Sequence, residues 1–464
     1  MTNRSLVQLV KAPLPSDSAN CLRSGAYPPY NLTSIATYLK EKSDLDVQII
    51  DGEILSLDEI IASLHPQGII GISSTSLAYP AALKIAQASK EKDSFVILGG
   101  IHAYHLPNEI LESRKFIDVV VHGQGEEAFR ELVNGENIHN IPNITFRDKN
   151  KIVSNPSRVI NQRDLPFPNF SLVSDLNRYF QNFQKHYGYK RKDGKGLPVY
   201  SSSGCLYRLK TGGCEFCSIP NQPYSIVRPE QYWRIVERLN QEFGANFIWD
   251  ISDTYTSNKE WVRRVSESKP KGISTSFNVY GRVDDINPEM LGYLKKIGVL
   301  ELLLGVESFY DPTLKSINKG YTAERAKQSL RLLREFGINV ELSLVLGNTG
   351  ETEESLKRTL EICETLQELD NIDENHCSIL IPLPGSKVYR KLMEDLDLRK
   401  KYGRDLIDYE RLQIEFLDRY TLCGASKVFE YYNKIEKLFN PAGAFYSPKN
   451  SQFYTQGRFR DDLA

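Results

Sequence analysis

The chain has 464 residues, of which 41% are hydrophobic and 25% charged, and its formal net charge is -1. This length suits two or three domains, and the near-neutral charge gives a nucleic-acid partner no support. The first residues do not show the basic start and apolar core that are typical of a signal peptide, and no apolar run is long enough to cross a membrane. We therefore expect a cytoplasmic protein that binds neither nucleic acid nor membrane.

Residues 1–145 alternate between apolar strand candidates and amphipathic helix candidates. Strands are predicted at Leu6–Val10, Val47–Ile50, Gly68–Ile72, Phe95–Leu98 and Val119–Val121, and helices at Asn31–Lys42, Leu57–Leu64, Ala78–Lys92 and Gly125–Val133. Strands that are apolar throughout and separated by amphipathic helices are typical of a parallel sheet covered on both faces. The pattern predicts an α/β, doubly wound, Rossmann-like domain whose ligand lies beyond the carboxyl ends of its strands.

Residues 146–198 are predicted to be a linker, because they are irregular and rich in proline. The phrase Asp164-Leu165-Pro166-Phe167-Pro168 should be stiff and extended, since proline fixes its own backbone and restricts the residue before it.

The alternation returns over residues 199–398. Strands are predicted at Val199–Ser203, Phe247–Ile251, Ile273–Val279, Leu300–Leu304, Val340–Leu346 and Cys377–Ile381. Start and stop signals mark the helices between them, as where Asn287-Pro288-Glu289 opens a helix that Gly298 ends. Six strand–helix units predict a partial (β/α)6 barrel of the TIM type, with its chemistry at the carboxyl ends of the strands. Residues 399–464 are predicted to be a C-terminal extension, charged at first and then rich in aromatic residues.

Three of the seven cysteines, Cys205, Cys214 and Cys217, lie within thirteen residues, with the spacing C-x8-C-x2-C. An odd number of cysteines in a large chain argues against a disulfide framework and favours a metal site. Three thiolates on one loop can hold three irons of a 4Fe-4S cluster and leave the fourth iron open to another ligand. A zinc site completed by His376-Cys377 is one alternative, and inert buried cysteines are the other.

This loop resembles that of the radical S-adenosylmethionine (SAM) superfamily, in which C-x3-C-x2-C carries an aromatic residue before the last cysteine. Phe216 matches that aromatic residue. The first spacer has eight residues instead of three. Leu206-Tyr207-Arg208 fits the family form, so that Leu209–Gly213 is an insertion, which Gly212-Gly213 could turn back.

Three later segments extend the resemblance to residues 199–392. They are Gly305-Val306-Glu307-Ser308, Leu346-Gly347-Asn348-Thr349-Gly350-Glu351 and Ile381-Pro382-Leu383-Pro384-Gly385-Ser386. The resemblance implies SAM contacts from Phe216, Glu307, Ser308, Gly347 and Pro382.

Each of these segments has a plainer interpretation: a solvated acid at a strand end, a turn that caps the next helix through Thr352, or prolines that stop a strand. The functional interpretation is favoured because each segment follows a successive predicted strand. Asp250 and Asp253 have two possible roles: a contact to the methionine amino group of SAM, or helix capping or salt bridging. No catalytic acid or base is assigned.

The N-terminal third resembles the cobalamin-binding domain that precedes the barrel in many radical SAM enzymes. The matching segments are Tyr27-Pro28-Pro29-Tyr30-Asn31-Leu32, Gly71-Ile72-Ser73-Ser74-Thr75, Gly99-Gly100-Ile101-His102-Ala103 and His122-Gly123-Gln124-Gly125-Glu126-Glu127. The cobalamin contacts predicted among them are Ser74, Thr75, Gly99, Gly100, His102, Gly123, Gly125 and Glu126. Small residues after the strands suit a large ligand that approaches the edge of the sheet.

Two other interpretations of this domain are kept. Gly123-x-Gly125-x-x-Ala128 also mimics a dinucleotide-binding fingerprint, but it follows the fifth strand instead of the first. The chain has no Asp-x-His, so the resemblance implies cobalamin held without a protein histidine on its lower face. His102 is the histidine candidate in a loop that faces the ligand, but such a histidine more commonly forms hydrogen bonds or packs than binds cobalt. The domain could also keep this fold and bind no cobalamin.

The resemblance implies an enzyme that cleaves SAM reductively at a 4Fe-4S cluster to generate a radical. With cobalamin, it would then methylate an unactivated carbon of a small molecule or peptide. An electron donor such as flavodoxin or ferredoxin would supply the cluster. One alternative keeps both cofactors but rearranges or cyclises the substrate without methyl transfer. The other is a non-catalytic sensor that binds cobalamin or metal.

Overall fold

Two α/β units follow one another along the chain, and a group of helices completes it. The computed structural model describes residues 6–15, 25–43, 45–188 and 191–439. Cys21 and the aromatic residues Phe445, Tyr446, Phe453, Tyr454 and Phe459 of the predicted extension lie outside the described residues.

A seven-stranded sheet forms the first unit. Its strands are β1 (Leu6–Lys11), β2 (Asp46–Asp51), β3 (Ile69–Ser73), β4 (Phe95–Gly99), β5 (Val119–Val121), β6 (Ile144–Asp148) and β7 (Lys151–Ser154). Its helices are α1 (Tyr30–Lys42), α2 (Leu57–Ser63), α3 (Tyr79–Glu91), α4 (Ile101–His105), α5 (Pro107–Ser113) and α6 (Gly125–Val133). The strand order is β2-β1-β3-β4-β5-β6-β7, with the first five strands parallel and the last two antiparallel. This is the predicted doubly wound domain, and its order reverses between β1 and β3.

Buried apolar strands explain why these predictions hold to within one or two residues. Val7 and Leu9 of β1 and Val96 of β4 are at most 1% exposed, because helices cover both faces of the sheet. Ser56 begins α2 with a capping box closed by Glu59.

The segment predicted to be an irregular linker contains regular structure. The boundary predicted at residue 145 falls inside β6, and β7 pairs with β6 through a tight turn at Lys149, whose φ is 55°. Asp148 and Asn150 are common turn residues, but lysine is unusual at a left-handed turn position, so the sequence signal for this hairpin is weak. Helix α7 (Leu176–Tyr187) follows and buries Phe183 against the ring of Tyr27.

Six parallel strands form the predicted partial barrel, in the order β15-β14-β13-β12-β11-β8. They are β8 (Gly196–Val199), β11 (Phe247–Asp250), β12 (Ser276–Arg282), β13 (Val299–Glu307), β14 (Asn339–Leu346) and β15 (Ile372–Ile379), and a short antiparallel ribbon of β9 (Ser202–Ser203) and β10 (Ser225–Ile226) follows β8. The helices are α8 (Leu206–Thr211), α9 (Pro229–Phe243), α10 (Lys259–Glu267), α11 (Pro288–Ile297), α12 (Asp311–Ser316), α13 (Ala323–Glu335), α14 (Glu353–Leu366) and α15 (Lys387–Leu392).

The first and last barrel strands lie earlier in the chain than predicted. Strand β8 ends at Val199, where the prediction began, and β15 begins five residues before Cys377. The first half of β15 was not predicted because β15 carries polar residues. One of them, His376, contacts Glu341 of the neighbouring strand, with its Nε2 3.1 Å from a carboxylate oxygen. The predicted helix signals at Asn287 and Gly298 are confirmed, because Asn287 caps α11 and Gly298 ends it at a φ of 107°.

Three helices, α16 (Leu396–Tyr402), α17 (Tyr409–Tyr420) and α18 (Gly424–Phe439), complete the described chain, and α18 packs on α14 and β15. Asp405, between α16 and α17, ties this part to the first unit. Its carboxylate accepts hydrogen bonds from the hydroxyl of Tyr79 at 3.0 Å and from Nε of Arg114 at 2.6 Å. In the described parts of the chain, no helix has both the length and the apolar character needed to span a bilayer.

Candidate functional site

The three clustered cysteines follow the end of the first barrel strand, as predicted. Cys205 precedes α8, and Cys214 and Cys217 lie in the loop after it, where the amide of Cys217 donates to the carbonyl of Cys214 at 3.4 Å. All three thiols are free and half-buried. Arg208 of α8 donates from Nη2 to the carbonyl of Cys217 at 2.6 Å, which folds the loop back on its own helix.

The insertion between Cys205 and Cys214 is partly helical and partly a glycine turn. Its first residues form the end of α8, and Gly212 and Gly213 then turn the chain with φ angles of 82° and 77°. Such angles favour glycine. Asn318 holds the end of the insertion by donating from Nδ2 to the carbonyl of Gly213 at 2.9 Å.

The donor set of the cysteine loop is three thiols. Among the described residues, no three His, Cys, Asp or Glu side chains converge closely enough to hold one metal ion. A 4Fe-4S cluster needs no such convergence, because each thiolate binds a different iron. The zinc alternative gains no support, because in the described part of the chain His376 and Cys377 form no metal site with the loop cysteines, and Nε2 of His376 lies 3.1 Å from a carboxylate oxygen of Glu341. Three free thiols on one loop are the kind of donor set that a 4Fe-4S cluster takes.

A buried cation that the sequence did not reveal lies next to Cys214. Lys319 is 4% exposed and its Nζ is 2.9 Å from a carboxylate oxygen of Glu307. Burial lowers the pKa of Lys319, but the charges of Glu307, Tyr321 and Cys214 together outweigh burial and raise the pKa above its usual value, so this side chain stays protonated. The same Nζ lies 5.8 Å from the ring centre of Phe216. Nothing in the sequence marks Lys319, which follows a short helix in an ordinary turn.

A second cation, Arg282 at the end of β12, lies in the same part of the barrel. Its Cζ is 3.6 Å from the ring centre of Tyr207, and its Nη2 donates to the carbonyl of Lys319 at 2.8 Å. Burial raises the pKa of the Cys214 thiol, while the charges of Lys319 and Arg282 oppose that effect. Cations beside a thiol favour the thiolate, the form that binds iron.

The structure separates the residues predicted to contact SAM. Glu307, with a φ of 66°, and Phe216 lie beside Lys319. The hydroxyl of Ser308 lies instead 3.5 Å from that of Thr359 in α14, away from Glu307. Because the backbone at Glu307 is left-handed, the side chains of Glu307 and Ser308 lie on different sides of the chain.

Gly347 and Pro382 follow β14 and β15, as predicted. The amides of Gly347 and Asn348 donate to Glu351 at 2.5 and 3.0 Å, and burial raises the pKa of this carboxyl to about 7. The plainer interpretation of this turn is confirmed, since Thr352 caps α14, and a contact of Gly347 with SAM stays a prediction.

Two acids, Asp250 at the end of β11 and Asp253 after it, hold the backbone near the cysteine loop. Asp253 accepts the amide of Gly204 at 2.8 Å, immediately before Cys205. Asp250 accepts the amide of Ser252 at 3.1 Å and is fully buried. Of the two roles left open by the sequence, the geometry of both acids favours a structural one.

A cavity of about 290 Å³ lies between the first sheet and the barrel. From the first unit it is lined by predicted cobalamin contacts: Gly99, Gly100, Gly123, Gly125 and Glu126. From the barrel side it is lined by Tyr200, Ser203, Pro220 and Gln222. The cavity thus lies beyond the carboxyl ends of the parallel strands, where a doubly wound domain binds its ligand.

The chemistry of this cavity fits part of a corrinoid, which is larger than the cavity as a whole. Glycines leave the sheet edge open to a flat ligand, and Glu126 adds a buried polar wall, accepting the hydroxyl of Ser34 at 2.7 Å. Burial raises the pKa of Glu126.

Three of the predicted cobalamin residues, Ser74, Thr75 and His102, do not line the cavity. His102 is 1% exposed and stacks on Tyr79 with ring centres 4.1 Å apart. Its Nδ1 is 3.0 Å from the hydroxyl of Ser76 and its Nε2 is 2.9 Å from the carbonyl of Asp405. Burial lowers its pKa to about 4. Both nitrogens are therefore used within the protein, and His102 has the packing role that such histidines usually have.

Family models match both units of the chain. The model of the radical SAM superfamily matches residues 199–363, and the model of the B12 binding domain matches residues 23–133. Together the two matches cover the cysteine loop and most of the residues that line the cavity.

Curated proteins and solved structures are similar over most of the chain. An uncharacterised methyltransferase of Pyrococcus horikoshii is 28% identical over 381 residues, covering 78% of each chain. An anaerobic magnesium-protoporphyrin IX monomethyl ester cyclase of Cereibacter sphaeroides is 25% identical over 397 residues, and the match covers 81% of this chain and 62% of the cyclase.

The fold is that of a solved structure, the radical SAM methyltransferase TsrM from Kitasatospora setae with cobalamin and a [4Fe-4S] cluster bound. It superposes with a TM-score of 0.64 at 18% identity, over 84% of this chain and 75% of that one. The cysteine loop, the order of the motifs and the two family matches agree. The chain belongs to the radical SAM superfamily, as a member that carries a B12-binding domain before its radical SAM domain.

Proposed function

We propose that this enzyme cleaves SAM reductively at a 4Fe-4S cluster held by Cys205, Cys214 and Cys217 and, with cobalamin, methylates an unactivated carbon of a small molecule or peptide. One observation carries the proposal. The cavity at the switch edge of the first sheet is also lined by Ser203, two residues before Cys205. A ligand of the first unit would therefore lie next to the loop that holds the cluster.

The cofactors would supply the radical and the methyl group, and the chain would place them. Lys319 offers a buried positive charge for the carboxylate of SAM, and Glu307 offers an acceptor for its amino group or ribose. Phe216 offers an apolar surface for the adenine. Arg282 would keep Tyr207 and the backbone of Lys319 in position. Closure of the two units over the cavity would exclude water from a reactive intermediate.

Relatives support methyl transfer and also name the main alternative. A methyltransferase and a cyclase both match across the two units. Cyclisation or rearrangement without methyl transfer is therefore the second candidate, and the fate of the SAM methyl group separates the two.

The test uses protein purified anaerobically with iron, sulfide and hydroxocobalamin. After reduction with dithionite and addition of SAM with a deuterated methyl group, we expect the label in methylcobalamin, measured by mass spectrometry. Cleavage of SAM to 5′-deoxyadenosine with no label in the corrinoid would favour the cyclase-like candidate. Retention of cobalamin with no cleavage of SAM would favour a sensor, and failure to retain cobalamin would contradict the cobalamin-dependent proposal.

We further propose a cytoplasmic enzyme that receives electrons from a small acidic protein such as flavodoxin or ferredoxin. The six described cysteines are all free, which suits a reducing compartment. Exposed basic residues lie on the insertion of the cysteine loop and on two helices near it, and we name them the basic face: Lys210 of α8, Lys315 of α12, and Arg390 and Lys391 of α15. The half-buried Lys387 of α15 connects this face to the loop and also pairs with Glu215 at 2.9 Å. Lys387 donates from Nζ to the carbonyl of Gly213, next to Cys214, at 3.1 Å.

Reversing charge on the basic face should slow electron delivery without changing the chemistry. We expect Lys210→Glu with Lys391→Glu to lower the rate with reduced flavodoxin by about 10-fold or more at low salt, because complementary charge steers association. The dithionite-driven rate should not change. Lys271→Glu with Lys296→Glu, which alters exposed lysines at the far ends of the barrel strands, is the matched control. Equal flavodoxin rates for the two double variants would contradict this surface.

A further inference from the structure

Three segments of the chain meet on one imidazole ring, that of His105. The residue ends α4 of the B12-binding domain and is half-buried. Its Nε2 is 2.7 Å from the carbonyl oxygen of Ser218, the residue after Cys217. Because a carbonyl can only accept, Nε2 carries the hydrogen and donates it. One hydrogen bond thus joins the first unit to the cysteine loop.

The third segment is the one that follows β15. A Cβ placed on Gly385 would lie 2.2 Å from Cε1 of the His105 ring, and Gly385 has a φ of 89°. No other residue type would let the backbone lie this close to the imidazole. The same segment is tied to the cysteine loop by the amide of Lys387, which donates to the carbonyl of Glu215 at 3.0 Å. The ring is therefore held on both sides by the barrel.

The other end of this connection reaches the cavity. Tyr104, adjacent to His105 in α4, lines the cavity together with Gly100 and Ile101. The rings of Tyr104 and His105 are in edge contact, with centres 4.9 Å apart. A helix of five residues thus has one side chain in the proposed cobalamin site and the next one on the carbonyl that follows a proposed cluster ligand.

We infer that His105 is a positioning residue that fixes the spacing between the cobalamin site and the cysteine loop. The inference rests on the proposed function for the identity of the two cofactors, while the contact itself is a property of the chain. Two cofactors that act on one substrate must be held at a fixed separation, and a displacement of about 1 Å can cost about 100-fold in rate. Nothing in the sequence marks this residue, since it lies just outside the Gly99–Ala103 motif.

The test has one arm without cofactors. Hydrogen exchange of the apoprotein should show faster exchange in α4 and in residues 214–219 for His105→Ala, by about tenfold for the loss of one buried hydrogen bond. His105→Gln keeps an N–H donor and should restore most of the protection. The control is His65→Ala, which removes an exposed histidine of the same domain. Unchanged exchange in His105→Ala overturns the inference.

The second arm measures the spacing. In protein loaded with cob(II)alamin and a reduced cluster, paramagnetic relaxation of the cobalt signal by the cluster depends steeply on their distance. We expect a weaker and more heterogeneous effect in His105→Ala, with unchanged iron and cobalamin content, and recovery in His105→Gln. An unchanged effect overturns the inference. If the wild-type protein retains no cobalamin, the proposed function fails, and the exchange arm alone decides whether His105 joins the two units.

Discussion

Replacing Cys205 by alanine is expected to abolish reductive cleavage of SAM. Two thiolates would remain on the loop, too few to hold a cluster with one vacant iron. Loss of an outer hydrogen-bond partner alone costs about 10–100-fold in metal affinity, so loss of a ligand should cost more. The measurement is iron and sulfide content after anaerobic reconstitution, with 5′-deoxyadenosine formation after reduction.

Cys423→Ala is the matched control, because Cys423 is also free and half-buried but lies before α18, outside the cysteine loop. It should keep the wild-type iron content and cleavage rate. If Cys205→Ala kept them as well, Cys205 would not be a ligand, and the C-x8-C-x2-C interpretation would be wrong.

Lys319→Met should have two separable effects. The first is on stability. It leaves the carboxylate of Glu307 buried without its partner, which typically costs about 3–5 kcal/mol. The second is on binding. The loss of a charged hydrogen-bond donor to SAM should weaken its affinity by about 10–100-fold. Chemical denaturation of the apoprotein measures the first effect, and calorimetric titration of the reconstituted protein with SAM measures the second.

A double variant distinguishes the two effects. Lys319→Met with Glu307→Gln removes both charges, so most of the stability should return while SAM binding stays weak. Lys269→Met is the control, since Lys269 packs on Trp233 and donates to the carbonyl of Ile297, away from the site. Recovery of SAM affinity in the double variant would contradict a direct role for Lys319.

The sequence predicted both folds because their strands are buried on two sides and read as apolar runs. Residues such as Val96 and Leu98 of β4 have no exposed surface, and apolar residues fill the strand around them. Strand β15 was predicted only in its second half, because Asn375 and His376 lie where an apolar strand would carry hydrophobic residues. Tertiary contacts with the neighbouring strand decided its true start.

The cysteines and the motif order could be predicted, because ligand chemistry requires particular residues at the ends of successive strands. The roles of His102 and Ser308 could not, since a motif does not show on which side of a turn a side chain lies. Lys319 and His105 were missed for a related reason. Each acquires its role from a contact partner elsewhere in the chain: Glu307 lies twelve residues before Lys319, and Ser218 lies 113 residues after His105.

The contact between Asp405 and Arg114 joins residues that are 291 positions apart. During synthesis, the N-terminal sheet leaves the ribosome and can begin to fold long before Asp405 exists, since domains generally fold as units from the N-terminus. The carbonyl that His102 contacts, and the carboxylate that Tyr79 and Arg114 contact, belong to Asp405 and are made only after a further 291 residues beyond Arg114 have been translated. Until then the nascent domain carries a histidine, a tyrosine and an arginine without these partners, so its packing is completed by a much later segment of the chain.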